Sequence, residues 1–539
     1  MKKYSVFVLL ISLLVAPIPI RCQERFPESS VLRQKTFSNN EKKQRAQLAK
    51  DETLEAYARM RAERDSKDKY GHRPVYHFTA PDERLNDPNG FCYWNNNYHL
   101  FYQAYPVEDT RQHWGHAYSE DLIHWKDLPL AFGPGPENKS YSGSALVEND
   151  RVLAVYYGNP IGEMIAVSSD PLLLNWEKMT GGPVIPQAFK TERELFDPFM
   201  WKHGDTYYLL SGRFTLDNPG GRRRCQAFLW SSDDLINWKY QHPFIENDSY
   251  SQVGDDCACP YFLPIGNKGK YLLMHFSHIN GSEYLIGNYD TKRNKFVVSD
   301  GGRINCGPVA DGGTHAPSCF SDGKGGVVTI FNTKGKDIMP KTSTSCMTLP
   351  RLLTLDADGR LCQNVYGDYE SLRKEHASLS EIDMPVGKEI VLDGISGKAI
   401  ELELVFDKAT PSVEVDVLRS PKAEEFTRIV FYRNGGHADQ HGSKQRLSSL
   451  TIDTSRGSTH RKAQPRIPET VEVYMDKDEP LKLHIFIDRS IVEVFVNDRQ
   501  AAMLRTYPVL DNSSLVSVRS LGNATRLIKA EAWQMDSIY

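Results

Sequence analysis

Three short stretches of the chain place aspartates close to a proline, in turns of the kind that begin or end a strand. They are ERLNDPNG with Asp87, ELFDPFMW with Asp197, and VGDDCACPYF with Asp255 and Asp256. An ionised carboxylate can attack an electrophilic carbon, and a protonated one can give its proton to a departing group. Several aspartates gathered in one cleft could therefore break a covalent bond of a substrate. Taken singly, each stretch is only a turn, because Asp, Asn, Pro and Gly all favour turns.

The stretch VGDDCACPYF (253–262) admits three interpretations: a metal site, a disulfide corner, or a carboxylate held in a cleft. The cysteine spacings match no zinc template, because the chain has no Cys-x-x-Cys pair and no histidine at ligand spacing beside its cysteines. Cys257 and Cys259 are also too close in sequence to pair easily with each other. We therefore expect no metal ion and no organic cofactor.

Composition limits the partners of this chain. Its 539 residues exceed the usual size of one domain, and 40% of them are hydrophobic, so two or three well-packed units are expected. The net charge is −4 with both signs interspersed, which argues against a nucleic acid or an anionic membrane surface as partner. A neutral small molecule or polymer fits better, bound by a monomer or a weak homo-oligomer.

The N-terminus has the pattern of a secretory signal peptide over residues 1–22. A basic start precedes an apolar run at 6–16 that is too short to span a bilayer, and prolines and small residues follow. Arg21 directly before Cys22 argues against lipid attachment at that cysteine. The sequence thus predicts an exported protein that is not embedded in a membrane. Residues 23–70 are predicted to be a helical segment that packs through Leu48, Leu54, Tyr57 and Met60.

A repeated phrase organises the central part of the chain. SEDLIHW (119–125), SSDPLLLNW (168–176) and SSDDLINW (231–238) each join a Ser-Asp turn to a tryptophan, among short aromatic and β-branched runs. Repeats at this spacing are typical of the blades of a β-propeller, which we predict for residues 71–362. A linker at 363–385 and a β-sandwich at 386–539 follow, the latter from the alternating hairpin LHIFIDRSIVEVFVND.

Several of these motifs together resemble one enzyme family. RLNDPNG, HLFYQ (99–103), WGHAYSEDLIHW (114–125) and YSGSAL (141–146) resemble glycoside hydrolase family 32 of β-fructofuranosidases, inulinases and levanases. The IFIDRSIVEVFVND hairpin resembles the sandwich module of that family, so the resemblance covers roughly residues 75–539. It implies an all-β protein with a five-bladed propeller and a sandwich. It also implies hydrolysis of β-fructosidic bonds in sucrose, inulin or levan with retention, which needs two carboxylates about 5–5.5 Å apart.

The resemblance assigns roles to individual residues. It implies that Asp87 is the nucleophile and that Asp197 is a third acid, which stabilises the transition state. The implied substrate-binding residues are Asn86, Gln103, Tyr141 and Ser142, together with Trp114, which either shapes the cleft wall or packs inside a blade. Asp311 and His315 are further possible substrate contacts. Phe196 stands where the family usually has arginine, which removes one charged contact to the sugar.

The family's proton donor is the glutamate of a Glu-Cys-Pro motif, and here that position is Ala258. In an extended strand Asp256 points to the same side as Ala258 and Asp255 to the other, because side chains alternate. We therefore predict Asp256 as a relocated donor, which requires a local bulge, and keep Asp255 as the alternative and as a substrate contact. Two other functions stay open: a propeller glycosidase acting on another furanoside such as arabinan, and a fructan-binding protein that has lost its acid.

Overall fold

The structure is a computed structural model that describes residues 36–81, 84–189, 194–216, 220–304, 312–334, 345–433, 445–463, 466–476 and 478–539. The predicted signal segment with Cys22, and Asp311, lie outside these residues. Within the described ranges, no helix combines the length and the apolar character that a membrane crossing needs.

Two helices precede the sheets, α1 (Glu41–Leu48) and α2 (Glu52–Lys67). The Asp51 side chain accepts a hydrogen bond from the backbone N–H of Thr53 and thereby starts the second helix, which is why one predicted helical segment forms two helices. Leu48 packs against Leu128 of the first sheet, and Tyr57 belongs to a second apolar cluster nearby. The predicted apolar face of the segment is confirmed.

Twenty-three strands follow in five sheets, and each sheet is built from consecutive strands. The first sheet comprises β1 (Leu85–Trp94), β2 (Asn97–Ala104), β3 (His113–Ser119) and β4 (Lys126–Phe132). The second comprises β5 (Lys139–Val147), β6 (Val152–Asn159), β7 (Gly162–Ser168), β8 (Glu177–Lys178) and β9 (Ile185–Pro186). The third comprises β10 (Pro198–His203), β11 (Thr206–Thr215), β12 (Arg224–Ser232) and β13 (Lys239–Pro243). The fourth comprises β14 (Ile245–Glu246), β15 (Ala258–Ile265), β16 (Lys270–Ser277), β17 (Gly281–Asp290) and β18 (Lys295–Arg303). In this fourth sheet β14 pairs in parallel with the outer strand β18. The fifth comprises β19 (Thr314–Ser321), β20 (Val327–Thr333), β21 (Cys346–Met347), β22 (Arg351–Leu355) and β23 (Leu361–Val365).

The innermost strands of these sheets close a ring. β1 contacts β5, β5 contacts β10, β10 contacts β15, β15 contacts β19, and β19 contacts β1. Sheets arranged around a shared axis in this way form a propeller, and the predicted all-β class is confirmed. The number of blades stays a prediction, because several connections between the strands fall outside the described ranges.

Four inner strands carry a β-bulge near the axis, where the register with the neighbouring strand shifts. In β1 the shift lies between Leu85 and Pro88, in β5 between Ser140 and Gly143, in β15 between Ala258 and Tyr261, and in β19 between Thr314 and Pro317. A bulge turns a side chain away from the regular alternation and is common beside active sites. The residues inside these bulges are therefore the ones re-aimed toward the axis. In β15 the bulge lies at Cys259 and Pro260, after Ala258, and not between Asp256 and Ala258, where a relocated donor would need it.

The remaining strands form two antiparallel sheets that pack as a sandwich. They are β24 (Arg373–Leu379), β25 (Ile382–Met384), β26 (Glu389–Ser396), β27 (Ala399–Phe406), β28 (Ser412–Arg419), β29 (Thr427–Tyr432), β30 (Gln445–Asp453), β31 (Glu469–Asp476), β32 (Leu481–Asp488), β33 (Ile491–Val496), β34 (Gln500–Arg505), β35 (Leu515–Leu521) and β36 (Thr525–Met535). One sheet has the order β24-β36-β27-β32-β33-β34 with β25 beside β36, and the other has the order β26-β35-β28-β29-β30-β31. Apolar residues of both sheets meet in one buried core.

The linker predicted at residues 363–385 is instead mostly strand. β23 ends the last propeller sheet at Val365, whereas β24 and β25 pair with β36 of the sandwich. Only residues 366–372 connect the two parts, and they include a 3-10 turn at Tyr369–Leu372.

A buried carboxylate at the tip of the β32–β33 hairpin fastens the sandwich to the start of the propeller. Asp488 accepts hydrogen bonds from the backbone N–H groups of Val75, Tyr76 and His77 at 2.8–2.9 Å, and from Nδ1 of His77 at 2.9 Å. Glu493 on β33 continues the network, because it lies 3.3 Å from His77 Nε2 and accepts a hydrogen bond from Arg351. Although burial disfavours the charged ring, the two carboxylates raise the pKa of His77.

We expect the substitution Asp488→Asn to lower the free energy of unfolding by about 3–5 kcal/mol, because it removes one of the two buried carboxylates that balance His77 and Arg351 and leaves backbone N–H groups without their acceptor. Urea denaturation followed by fluorescence measures the change. The matched control is Asp358→Asn, an exposed aspartate whose ion pair with Arg360 lies at the surface, and it should be nearly neutral. Equal stability of the two variants would contradict the role given to Asp488.

Candidate active site

Asp87 lies in the first bulge of β1, where four polar side chains surround its carboxylate. Ser142 Oγ donates a hydrogen bond to Oδ2 at 2.8 Å, and Gln103 Nε2 donates to the same oxygen at 3.3 Å. Asn332 Nδ2 and His315 Nδ1 lie 3.5 and 3.2 Å from Oδ1. The carboxylate is thus buried but well supplied with donors.

These neighbours keep Asp87 ionised. Burial alone would favour the neutral acid, but His315, the charge of Lys334 and the hydrogen bond from Ser142 hold the pKa of Asp87 below its usual value. Lys334 Nζ lies 2.8 Å from His315 Nε2, on the other side of that ring. A charged, fixed carboxylate is what a nucleophile needs.

Asp197 is held in the left-handed region of backbone conformation just before β10, with φ of 38°. Its Oδ2 lies 3.3 Å from the backbone N–H of Cys259 and 3.4 Å from the thiol, and Cys259 itself has φ of 46°. Non-glycine residues adopt such angles at a cost of about 1–3 kcal/mol each, and they concentrate at functional sites. The strain therefore marks both residues as positioned for the site.

The Cys259 thiol lies between the two carboxylates, 3.4 Å from Asp197 Oδ2 and 4.0 Å from Asp87 Oδ2. Burial, together with the charge of Asp87, raises the pKa of Asp197 to about 7. The two acids therefore have pKa values shifted in opposite directions, a pattern that assigns different tasks to paired carboxylates.

A third buried acid stands behind Asp197. Glu163 Oε1 accepts a hydrogen bond from Ser211 Oγ at 3.1 Å, and Ser211 accepts one from the backbone N–H of Phe196 at 2.8 Å. Burial, with a smaller effect of the Asp197 charge, raises the pKa of Glu163 to about 8. A neutral Glu163 can support the backbone at 196–197 without adding a second charge beside Asp197.

Gln103 links the remaining predicted residues to Asp87. Its Oε1 accepts hydrogen bonds from Asn86 Nδ2 at 2.7 Å and from Gln112 Nε2 at 2.9 Å, while its Nε2 also donates to Ser142 at 2.6 Å. Asn86 in turn accepts from Asn332 Nδ2 at 3.1 Å. The structure thus brings Asn86, Gln103 and Ser142 together around the Asp87 carboxylate.

Trp114 does not reach this cleft. Its indole is completely buried between the first and second sheets, stacked on Phe132, and donates a hydrogen bond to the backbone oxygen of Tyr141. Of the two interpretations left open for this residue, packing inside a blade is the one that the structure supports. Tyr141 itself is only half-buried and turns its ring toward Tyr157.

Six rings form an aromatic arc beside the acids, with neighbouring centroids 5.7, 6.2, 5.9, 5.0 and 4.0 Å apart. In order, they belong to Tyr141, Tyr157, Phe196, His278, Phe276 and His315. Phe196, where the resemblance to the family led us to expect arginine, is therefore part of an apolar wall. Sequence reasoning missed His278, Phe276 and Asn332 because they stand in no contiguous motif with the acids.

The two predicted acids at the start of β15 point to different places. Asp255 is fully buried and accepts hydrogen bonds from Ser277 Oγ at 2.8 Å and from Asn280. The structure does not bring it together with Asp87. Asp256 instead contacts His278, through the backbone N–H at 2.9 Å and through Nδ1 at 2.8 Å.

Cys257 points away from the cleft into the core between the third and fourth sheets. Its thiol, the Cys225 thiol and His275 have atoms that all lie within 4.8 Å of one another, a geometry that could hold a metal ion. The sequence showed no such group, because the three residues lie on separate segments of the chain. Metal independence of the reaction stays a prediction.

Comparison with known proteins decides the family. Residues 77–365 match the glycosyl hydrolases family 32 N-terminal domain, and residues 368–534 match the family 32 C-terminal domain. The chain belongs to glycoside hydrolase family 32. It is a glycoside hydrolase, as the sequence analysis expected.

Named relatives extend over most of this family-32 hydrolase. The sucrose-6-phosphate hydrolase of Escherichia coli is 27% identical over 86% of this chain and 94% of its own length. The levanase of Bacillus subtilis is 28% identical over 79% of this chain and 65% of its own length. The crystal structure of fructan 1-exohydrolase IIa from Cichorium intybus shares the fold, with a TM-score of 0.74 and 22% identity over 87% of this chain and 98% of that one.

The position of Cys259 makes a prediction about this glycoside hydrolase. Burial and the charges of Asp197 and Asp87 raise the pKa of its thiol well above the usual range, so the thiol stays protonated and unreactive. In native protein treated with iodoacetamide at pH 8, Cys259 should be alkylated much more slowly than the partly exposed Cys362. Mass spectrometry of the peptides measures both, and urea-unfolded protein should show equal labelling. Equal labelling of the native protein would contradict this placement.

Proposed function

We propose that this family-32 hydrolase is an exported β-fructosidase that cleaves β-fructosidic bonds of levan, inulin or sucrose and retains the anomeric configuration. One observation carries the proposal: two buried aspartates, Asp87 and Asp197, face the same thiol and have oppositely shifted pKa values. The names of the relatives, a sucrose-6-phosphate hydrolase and a levanase, support a fructosyl substrate.

In the proposed reaction Asp87 attacks the anomeric carbon of the fructosyl group. Its low pKa keeps it ionised, and the hydrogen bonds from Ser142 and Gln103 fix the direction of attack. Asn86 and Tyr141 stand beside it, where they can bind ring hydroxyls. The result of the first step is a fructosyl ester of Asp87, which water then hydrolyses.

Asp197 is proposed to stabilise the transition state rather than to form a bond. Its carboxylate lies on the far side of Cys259 from Asp87, within reach of the hydroxyls of a sugar held against the nucleophile. A carboxylate with a raised pKa is a strong hydrogen-bond acceptor, and positive charge developing on the sugar ring favours its ionised form. In this proposal Asp87 attacks the anomeric carbon, and Asp197 stabilises the charge that develops on the sugar ring.

The proton for the leaving group is proposed to come from the part of the cleft next to Ala258. Asp256 is the donor that the sequence analysis predicted, but its contact with His278 outweighs burial and holds the pKa of Asp256 below its usual value, which favours the ionised carboxylate. The donor is therefore proposed to be one member of this contacting pair, Asp256 or His278. Asp255 does not belong to the pair, because its hydrogen bonds to Ser277 and Asn280 hold it in the interior.

Export belongs to the proposal as well. It is supported by the apolar run at residues 6–16 between a basic start and a break of prolines and small residues. N-terminal sequencing of the protein recovered from outside the cytoplasm would identify a cleavage point near residue 22, and an uncleaved cytoplasmic protein would overturn this part.

The first test of the reaction is Asp87→Asn. We expect the rate on any accepted fructoside to fall by about 10⁴-fold or more, because the covalent nucleophile is lost. The matched control, Asp205→Asn, changes an exposed turn residue between β10 and β11 and should keep full activity. Unchanged thermal unfolding of both variants would show that the fold is intact. More than about a tenth of the wild-type rate in Asp87→Asn would refute the assignment.

The second test concerns the substrate. Purified protein is incubated with sucrose, inulin and levan, and the products are resolved by chromatography. Release of fructose from one or more of them is the expected result, because the acids lie in a cleft at the propeller axis and the relatives are named for such substrates. Fructose alone indicates action at chain ends, and a ladder of oligomers indicates internal cleavage. Release of arabinose from arabinan, with no fructose from any fructan, would overturn the proposal.

A further inference from the structure

We propose that His278 is the acid and base of this enzyme, and that Asp256 is a positioning residue that holds its imidazole toward the cleft. The inference rests on the proposed function and goes beyond it, because it names the group that gives the proton to the leaving sugar. In this chain an Asp–His pair, just before the start of β15 and just after the end of β16, takes the place of a carboxylic acid.

The place of the usual glutamate cannot hold a donor in this chain. Ala258 offers only a methyl group, and it packs with Phe276 and Phe196 in an apolar cluster. A water molecule or a charged group is poorly accommodated between two aromatic rings. The proton must therefore come from a titratable side chain at the edge of this cluster.

His278 is at that edge by strand geometry. Ala258 and Phe276 are direct partners on β15 and β16, and Asp256 and His278 lie two residues before and two residues after them, just outside the two strands. The ring of His278 is 5.9 Å from Phe196 and 5.0 Å from Phe276, between the two aromatic residues that border the vacated position.

Asp256 fixes the imidazole at two points. Its Oδ1 accepts a hydrogen bond from the backbone N–H of His278 at 2.9 Å, and its Oδ2 lies 2.8 Å from Nδ1. The Asp256 side chain is 11% exposed, whereas that of His278 is 50% exposed. With Nδ1 engaged, Nε2 is the nitrogen that can meet a substrate oxygen, and no residue in the described ranges hydrogen-bonds it. A carboxylate behind a histidine commonly sets its tautomer and orientation.

The charges around His278 favour its protonated form. The hydrogen bond and the charge of Asp256 raise its pKa, burial opposes them, and the charges of Asp197 and Asp87 add to the rise. His315, two rings further along the aromatic arc, is a second titratable ring whose charge interacts with that of His278, and the charge of Arg223 acts on Asp256. A histidine that keeps its proton to higher pH than an ordinary imidazole can serve as a general acid.

The two steps balance with this pair. In the first, Asp87 bonds to the anomeric carbon, the glycosidic C–O bond breaks, and the Nε2 proton of His278 passes to the departing oxygen, which leaves as an alcohol. In the second, neutral His278 takes a proton from water as the water oxygen bonds to the anomeric carbon. The ester bond to Asp87 breaks, and the carboxylate and the protonated imidazole are restored.

The test compares His278→Gln with the wild type on two substrates: sucrose or a fructan, and p-nitrophenyl β-D-fructofuranoside, whose leaving group needs no proton. We expect kcat/KM on the natural substrate to fall by about 10²–10⁴-fold, with the aryl substrate retaining most of its kcat/KM. Azide should accelerate turnover of the aryl substrate, because it attacks the fructosyl ester without a base. If the role of His278 were purely structural, kcat/KM would fall equally on both substrates, and azide would not accelerate turnover.

The control is His124→Gln. His124, on the turn after β3, is held by Asp121 in the same way, with the backbone N–H and Nδ1 each 2.8 Å from the carboxylate. It lies outside the cleft, so its replacement should leave kcat/KM on both substrates, and the pH profile, unchanged.

Asp256→Asn separates positioning from direct donation. Because the Asp256 carboxylate raises the pKa of His278, its removal should shift the alkaline limb of the kcat/KM profile to lower pH and cost about tenfold or less at the optimum. The alkaline limb marks loss of the proton from the acid, so His278→Gln should remove it.

The outcomes distinguish this inference from the function it rests on. Wild-type protein that releases no sugar from any fructoside overturns both. An active wild type with an inactive Asp87→Asn, but with His278→Gln at wild-type rates on the natural substrate, overturns only the role of His278. In that case, a large loss of kcat/KM on the natural substrate but not on the aryl substrate in Asp256→Asn would make Asp256 the direct donor. Thermal unfolding of each variant confirms that the rates belong to folded protein.

Discussion

The mutual burial of two carboxylates around one thiol is the constraint on which the centre of this protein depends. Two negative charges so close to each other in a low-dielectric interior repel strongly, so one must be surrounded by donors and the other must take up a proton more readily. Ser142, Gln103 and His315 satisfy Asp87, and Asp197 has the raised pKa. The β-bulges of the inner strands make this possible, because they direct Asp87, Ser142 and His315, which come from three different sheets, at one point.

Much of the fold was accessible from the sequence, because repeats and alternation are local signals. The Ser-Asp turns mark the sheets of the propeller, and the β32–β33 hairpin lies where its alternation placed it. The linker at 363–385 was misjudged because β24 is half-exposed and polar, so its pairing with β36 leaves little trace in the sequence. In the site, Asp87, Gln103 and Ser142 were found through contiguous motifs. His278 and Asn332 were not, since only tertiary pairing brings them to the acids.

Two departures from related sequences are linked in space. Phe196 and Ala258 belong to the same small apolar cluster, so the loss of a charged residue and the loss of an acid at these positions remove polar groups from one corner of the cleft. The aromatic arc fills that corner and includes two histidines, His278 beside Phe196 and His315 beside Phe276. The apolar corner is therefore bordered by titratable groups, of which His278 is half-exposed.

The Asp488 fastening has a consequence for how the protein is made. The acceptor Asp488 is separated from its partner Tyr76 by 412 residues, and Glu493, which accepts a hydrogen bond from Arg351 of the last propeller sheet, lies on the next strand of the same hairpin. During translation every propeller sheet emerges before either carboxylate exists. The donors at residues 75–77 must stay unsatisfied or bound to water until the β32–β33 hairpin has been synthesised. A nascent chain that lacks this hairpin therefore has a propeller whose entry segment is not yet secured.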